Sequence, residues 1–154
     1  MPNGQYPGPL HPRRIEQDGR EYRYFFYENV HRTGDSEDAQ WLPEMTHDEE
    51  FAVFELSVSH DLSNKKGDLY GLRLGPGGRR ILILGTREEQ IAEFPLPQGD
   101  HPWHGYPVWP VTRLERDKKE RKDGAPHEAL RKMSFAGLIT ENQRKRLARG
   151  KHAG

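Results

Sequence analysis

Three apolar runs in the middle of the chain constrain its fold more than any other feature of the sequence. FAVFELSVSH (51–60), DLYGLRL (68–74) and RILILG (80–85) follow one another with short polar connections between them. In the first two runs apolar residues recur at every second position, a period typical of a strand with one buried face. In the third run residues 81–84 are all apolar, which predicts a strand covered on both faces. Together the three runs predict an antiparallel meander.

The two connections have the composition of turns. DLSNKKGD (61–68) combines Asn, Gly and Asp and suits a longer hairpin loop. In GPGG (75–78), Pro76 and Gly77 fit the central positions of a type II turn, whose second position has a positive φ. GPGG lies between two predicted strands and lacks the Gly-Lys-Ser/Thr ending of a phosphate-binding loop. We therefore predict a hairpin turn there and not a phosphate site.

Residues on either side of the meander predict one more strand and several helices. EYRYFFYENV (21–30) holds five aromatic residues and favours a strand. A threonine followed three residues later by Glu or Gln has the spacing of a capping box, which marks helix starts. From this spacing we predict helix starts at Thr46, Thr86 and Thr140. In HEALRKMSFAGLI (127–139), Leu130 and Met133 share a helical face, and Gly137 suits the end of that helix.

The predicted fold class is therefore α+β, with a small, mainly antiparallel four-stranded sheet, short covering helices and a basic helical C-terminal end. The predicted strands are residues 21–31, 51–60, 68–75 and 80–85. The predicted covering helices are residues 86–94 and 127–138.

The composition fits one small domain with polar extensions. Of the 154 residues, 32% are hydrophobic and 31% are charged, so we expect parts of the chain to be tails or exposed helix. The predicted units are a flexible lead-in at 1–14, a sheet-containing core at 15–112, a charged linker or exposed helix at 113–125, and a basic helical segment at 126–154.

The absence of cysteine excludes disulfide frameworks, thiolate metal sites and cysteine nucleophiles. No stretch has the apolar length of a membrane span, and the first residues lack the apolar core of a secretory signal. We therefore expect a cytoplasmic protein that does not bind membranes. No complete ligand set for a metal is evident, and we predict neither a metal nor a cofactor.

The zero net charge hides an asymmetry along the chain. Residues 1–112 hold 11 Lys and Arg against 18 Asp and Glu, whereas residues 113–154 hold 13 against 6. A basic end can contact nucleic acid or an acidic partner, or it can fold back on its own acidic half, and the sequence leaves these alternatives open.

If the basic end contacts nucleic acid, clustered cations should bind phosphates with little sequence preference. These cations are Arg144, Lys145, Arg146, Arg149 and Lys151. Leu147 is the only large apolar side chain after Ile139, so truncation after Ile139 is expected to leave the sheet folded.

HPWHGYPVWPV (101–111) holds the densest group of aromatic and histidine side chains. One hypothesis makes its aromatic residues a contact surface for a partner, together with a nearby arginine. The residues of this predicted surface are Trp103, Tyr106, Trp109 and Arg113. The alternative is that the rings pack against the sheet, with the histidines half exposed at the rim.

The histidines suggest an enzyme as a third interpretation, a small histidine-dependent RNase or phosphoesterase. Its acid and base would be drawn from His101, His104 and His60. Such a site also needs a cation to stabilise charge on the phosphorane, and the sequence does not place one.

Since no convergent catalytic set is evident, the sequence favours a small binding module of the inhibitor or adaptor type. The expected partner is another protein. The alternatives are the histidine-dependent enzyme and a nucleic-acid-binding protein that uses the basic C-terminal segment.

Overall fold

The computed structural model describes residues 13–26, 40–109 and 125–154. The lead-in predicted at 1–14 and the linker predicted at 113–125 lie almost wholly outside these described residues, and Arg113 lies outside them as well. The domain boundaries therefore stay predictions.

Along the described chain, two strands precede a helix, four strands follow it, and two helices come last. The strands are β1 (Arg13–Gln17), β2 (Arg20–Tyr24), β3 (Leu69–Leu74), β4 (Ile81–Leu82), β5 (Ile91–Phe94) and β6 (Tyr106–Val108). The helices are α1 (His47–Ser59), α2 (Ala125–Phe135) and α3 (Glu141–Ala148). β1 and β2 form a separate hairpin, and the other strands form an antiparallel sheet in the order β4-β3-β5-β6. This confirms the predicted α+β class with a four-stranded antiparallel sheet.

Both faces of the sheet are covered. Side chains alternate along a strand, so β3 contributes to a different core on each face. Tyr70 and Leu72 belong to a cluster that includes Met133 of α2. Leu69 belongs to a second cluster that includes Phe54 of α1. The sheet therefore lies between α1 on one side and the α2–α3 pair on the other.

Residues 51–60 form most of α1, so the strand predicted there was wrong. The helix starts at the predicted capping box, in which the Glu49 N–H donates to Thr46 Oγ1 at 3.1 Å and the Thr46 N–H donates to Glu49 Oε1 at 2.8 Å. Phe54 and Val58 are both buried, a spacing of four that a helix also places on one face. The apolar alternation was compatible with both structures, and the helix that forms packs its buried face against β3.

The helix predicted at 86–94 was also wrong, because residues 91–94 form the interior strand β5 between β3 and β6. All four residues of β5 are buried. Thr86 caps no helix; a tight turn follows it in which Glu88 has a φ of 68°. The apolar 81–84 run contributes only the two-residue edge strand β4. Pairing of residues 91–94 with β3 and β6 has therefore overridden the capping-box spacing that begins at Thr86.

The aromatic strand predicted at 21–31 is realised as β2, which ends at Tyr24 and pairs with β1 outside the main sheet. Asp18 and Gly19 join the two strands with φ angles of 52° and 78°, as a type I′ hairpin requires. Residues 27–31 lie outside the described part of the chain.

The C-terminal helices confirm the predictions made for them. In α2, Leu130 and Met133 are buried as predicted. Gly137, with a φ of 79°, follows the end of α2, and α3 starts at the capping box of Thr140. None of the helices in the described ranges is long and apolar enough to cross a bilayer.

Candidate functional site

Trp103 lies in the core and not on a contact surface. Only 4% of its side chain is exposed, and its ring packs against Tyr22 and Phe54 at centroid distances of 5.9 and 5.8 Å. Its backbone is clamped to the strand end of β2, since its N–H donates to the Arg23 carbonyl at 2.7 Å and its carbonyl accepts from the Phe25 N–H at 2.8 Å. The interpretation of this residue as core packing therefore fits the structure.

Tyr106 and Trp109 are half-buried. The Tyr106 hydroxyl donates to Glu93 Oε2 at 3.4 Å. The Trp109 indole N–H donates to the Arg87 carbonyl at 3.2 Å, and its ring stacks on His152 at 5.4 Å. Of the aromatic residues predicted as one surface, Trp103 therefore lies in the core. Tyr106 and Trp109 are half-buried and hydrogen-bonded to other parts of the chain.

The structure brings His101 and His104 together but leaves His60 elsewhere. The first two line a cavity of about 240 Å³ with prolines and Gln98. His60 lies just past α1 and lines a different depression. The cavity of the paired histidines has no Lys or Arg among its described lining residues, and an RNase mechanism needs such a cation. Nowhere in the described ranges do three His, Asp or Glu side chains form a group that could hold a metal ion.

The basic C-terminal end is docked on the core. Leu147 is 1% exposed. Gln143 donates from Nε2 to the carbonyls of Arg79 at 2.9 Å and Gly154 at 2.7 Å. Gln90 and Ala153 exchange two hydrogen bonds, of 2.6 and 2.9 Å. These contacts hold α3 and the last residues against the β3–β4 and β4–β5 connections, so the cations of this end lie on and just after a docked helix.

Arg144 differs from the other cations predicted as phosphate contacts. Its Nε and Nη2 donate to the carboxylate of Glu141, each with a contact of 2.9 Å. Hydrogen bonds from Arg144 and Ser134 lower the pKa of Glu141 to about 2. This arginine is therefore already occupied by a carboxylate.

The remaining four cations are exposed: Lys145, Arg146, Arg149 and Lys151. Within the described residues, none of them forms an ion pair with a carboxylate. Lys145 and Arg149 are four residues apart on the face of α3 opposite the buried Gln143 and Leu147. The outer face of α3 is therefore positively charged.

Arg79 and Arg80 add two exposed cations near α3. The hydrogen bond from Gln143 to the Arg79 carbonyl places them next to the side of α3 that carries the buried Gln143 and Leu147, and not on the face of Lys145 and Arg149. We call these two arginines and the four exposed cations of the C-terminal end the basic surface. Sequence reasoning did not assign Arg79 and Arg80 to this group, because about sixty residues separate them from α3 and only the tertiary contact joins them.

The basic end does fold back on the acidic half of the chain, but ion pairs contribute little to that contact. In the described part of the chain, the one contact between a basic and an acidic side chain of the two halves is His152 Nε2 to Glu88 Oε1 at 3.5 Å, which is an ion pair only when the imidazole is protonated. The other contacts are hydrogen bonds of Gln90 and Gln143 and burial of Leu147. Docking therefore leaves most of the positive charge facing outward.

Comparison of the chain with protein families, with curated proteins and with solved structures found no match. The fold and the basic surface define an α+β module with a fixed cationic face.

Proposed function

We propose that the protein is a non-catalytic binding module that holds nucleic acid on the basic surface. The observation that carries the proposal is the group of exposed cations on and after α3, Lys145, Arg146, Arg149 and Lys151, none of which forms an ion pair with a described carboxylate. Lys and Arg that replace counterions on a phosphate backbone supply most of the affinity in such complexes. A cytoplasmic location is part of the proposal, because the chain has no cysteine for disulfides.

The fixed position of α3 favours binding over accidental surface charge. Lys145 lies on α3 and Arg149 is the residue that caps its C-terminal end, so the docked helix sets the backbone positions of both cations before a ligand arrives. Preorganised cations lose less conformational entropy on binding than cations on a mobile tail. The basic surface therefore suits a polyanion with regularly spaced charges.

The proposal keeps the class of protein predicted from the sequence and changes the expected partner. The protein-partner hypothesis relied on an aromatic surface, and Trp103 is buried. Nucleic acid was the alternative predicted for the basic segment, and the geometry of α3 supports that alternative.

The test compares two double variants that lose the same charge. Lys145→Ala with Arg149→Ala removes two cations of the basic surface. Arg14→Ala with Arg20→Ala removes two cations of the β1–β2 hairpin, which packs on the α1 side of the sheet. Binding to labelled RNA and DNA of equal length is measured by fluorescence anisotropy over a series of salt concentrations.

The wild-type protein should bind more weakly as salt rises. For a single strand, the slope of log K against log salt is negative. Its magnitude should decrease by about 0.7 for each phosphate contact that the first variant loses. The hairpin variant should retain the wild-type slope. No binding even at low salt, or equal losses in both variants, contradicts the proposal.

A further inference from the structure

Phe135 is the most conspicuous apolar side chain on the surface, with 94% of it exposed. It is the last residue of α2. The helix is closed without it: the Leu138 N–H donates to the Met133 carbonyl and the Gly137 N–H to the Ser134 carbonyl, both at 3.0 Å, which is the Schellman pattern. The ring therefore has no structural role in the described fold.

Phe135 stands between two depressions that share Arg131. One, of about 620 Å³, lies between α2 and the loop after α1 and includes Lys65 and Lys132. The other, of about 480 Å³, lies between α2 and α3 and includes Arg144. The second depression thus runs from Phe135 to the helix that carries the basic surface.

Arg131 and Lys132 are four and three residues before Phe135, so all three lie on one side of α2. The Lys132 Nζ donates to Ser63 Oγ at 2.9 Å, which ties this lysine to the loop after α1. Acidic residues are present as well. Asp61 and Glu128 line the first depression, and Glu141 lines the second but is already bound by Arg144.

We infer that the nucleic acid is single-stranded and that one of its bases stacks on Phe135, with flanking phosphates on Arg131 and Lys65. This inference rests on the proposed function and specifies its ligand. A protruding aromatic ring beside cations is the arrangement used for single strands, because every unpaired base offers a π-face. A duplex keeps its bases stacked inside, and it would gain only the phosphate contacts.

The experiment measures binding of three variants to a single-stranded RNA, a single-stranded DNA and a duplex DNA of equal length. Phe135→Ala should weaken single-strand binding by between about 5-fold and about 150-fold, which corresponds to the loss of one stacked base. Phe135→Trp should retain binding, and quenching of the added indole by the single strand should report stacking directly. Leu96→Ala is the matched control, because Leu96 is the other large apolar side chain exposed in the described residues, at 45%.

Since the Phe135 ring is exposed, the Ala variant should unfold at the wild-type denaturant concentration, so a binding loss cannot be assigned to misfolding. The inference is overturned, with the proposed function intact, if Phe135→Ala binds single strands normally and the duplex competes equally well. If the wild-type protein binds no nucleic acid at low salt, both fail. If polyglutamate binds as tightly as RNA and depends equally on Phe135, the ligand is an acidic protein and the inference is also overturned.

Discussion

At Gly71 the backbone of β3 comes into direct contact with α1. A Cβ at this position would lie 2.4 Å from the Val53 carbonyl oxygen and 2.8 Å from Val53 Cγ1. The oxygen belongs to the helix backbone, so relief requires a shift of α1 itself. A single residue type therefore sets how closely the helix packs on the sheet.

Gly71→Ala should lower the free energy of unfolding by about 1–3 kcal/mol, because it overpacks this contact. Gly75→Ala is the matched control: its Cβ would meet Leu82 Cδ2 at 3.5 Å, an ordinary contact, and its φ of −77° suits alanine. Urea denaturation checks both variants. Equal midpoints for the two variants would show that the close approach is not needed.

The buried carboxyl group of Glu89 makes the stability of the protein depend on pH. The residue is 2% exposed, and burial raises its pKa above the ordinary 4.5. Its charged form therefore costs stability at neutral pH. As pH falls through the raised pKa towards 4.5, the folded state binds a proton that the unfolded state does not, and this cost disappears.

Glu89→Gln should accordingly be more stable than wild type at neutral pH, since its amide oxygen can still accept the 2.9 Å hydrogen bond from the Arg87 N–H. The difference should shrink as pH falls to 4.5. Glu49 and Glu141 affect stability in a lower pH range. Hydrogen bonds from the Thr46 backbone and from Arg144 lower the pKa values of Glu49 and Glu141, respectively. The stability that these carboxylates contribute is therefore lost as pH falls below 4.5. Unfolding free energies of both proteins across this pH range check the prediction, and a pH-independent difference would contradict it.

The paired histidines provide a test of the enzyme hypothesis. His101→Ala combined with His104→Ala should leave nucleic-acid affinity unchanged, because their cavity contains no described cation of the basic surface. An RNA-cleavage assay accompanies the binding measurement. If the wild-type protein cleaves RNA and the folded double variant does not, the protein is an RNase and not a non-catalytic binding module.

At the scale of elements, the same local spacing has two outcomes. Thr46 and Thr140 each form a complete capping box, at the starts of α1 and α3. Thr86 has the same spacing to Glu89, but the Glu89 carboxylate accepts from the Arg87 N–H and the Thr86 N–H donates to the Gln40 carbonyl. The segment after it joins the sheet. A cap can start a helix only where the following residues can bury a helical face.

Thr46→Ala and Thr140→Ala should therefore each cost about 1 kcal/mol of unfolding free energy. Thr86→Ala should change it by less than about 0.5 kcal/mol, because alanine retains the backbone hydrogen bond to Gln40. Chemical denaturation of the three variants under one condition makes the comparison. A cost at Thr86 equal to that at Thr46 would mean that its side chain supports the turn.

At the scale of the whole molecule, the C-terminal end completes the core. The sequence-based expectation was that truncation after Ile139 leaves the sheet folded. The structure argues otherwise, because Leu147 and Ala153 are buried beside the sheet and the Gln90 side chain is hydrogen-bonded to Ala153. Truncation would uncover the part of this core that Leu147 and Ala153 cover. It would also leave Gln90 Oε1 without the Ala153 N–H, whereas Gln90 Nε2 would keep its hydrogen bond to the Ile81 carbonyl.

Leu147→Ala should destabilise the protein by about 2–5 kcal/mol, and truncation after Ile139 by more, since it also removes the hydrogen bonds between Gln90 and Ala153 and those of Gln143. Lys151→Ala is the control for charge loss in the same segment and should be neutral in stability. Thermal and urea unfolding check all three. A truncated protein with wild-type stability would contradict the docked arrangement.

The sequence by itself determined the features that depend on neighbouring residues. The GPGG turn is one: Gly77 has a φ of 79° and the Gly78 N–H donates to the Gly75 carbonyl at 2.9 Å. The caps of α1 and α3, the buried face of α2 and the cluster of C-terminal cations belong to the same kind. A signal for the β1–β2 hairpin was also present, since Asp18-Gly19 is a strong type I′ turn sequence.

Only the tertiary structure decided which apolar runs become strands and which charged groups meet. The 51–60 run satisfies both periods, and its helical state depends on packing against β3, which lies outside that run. β5 is a strand because β3 and β6 pair with it from both sides. Arg79 lies beside α3 because Gln143 binds its carbonyl. Phe135 is exposed because the described residues leave its ring uncovered. Turns and caps are hydrogen-bonded within a few residues, whereas sheet pairing and burial join residues that are far apart in sequence, and local patterns carry no record of those partners.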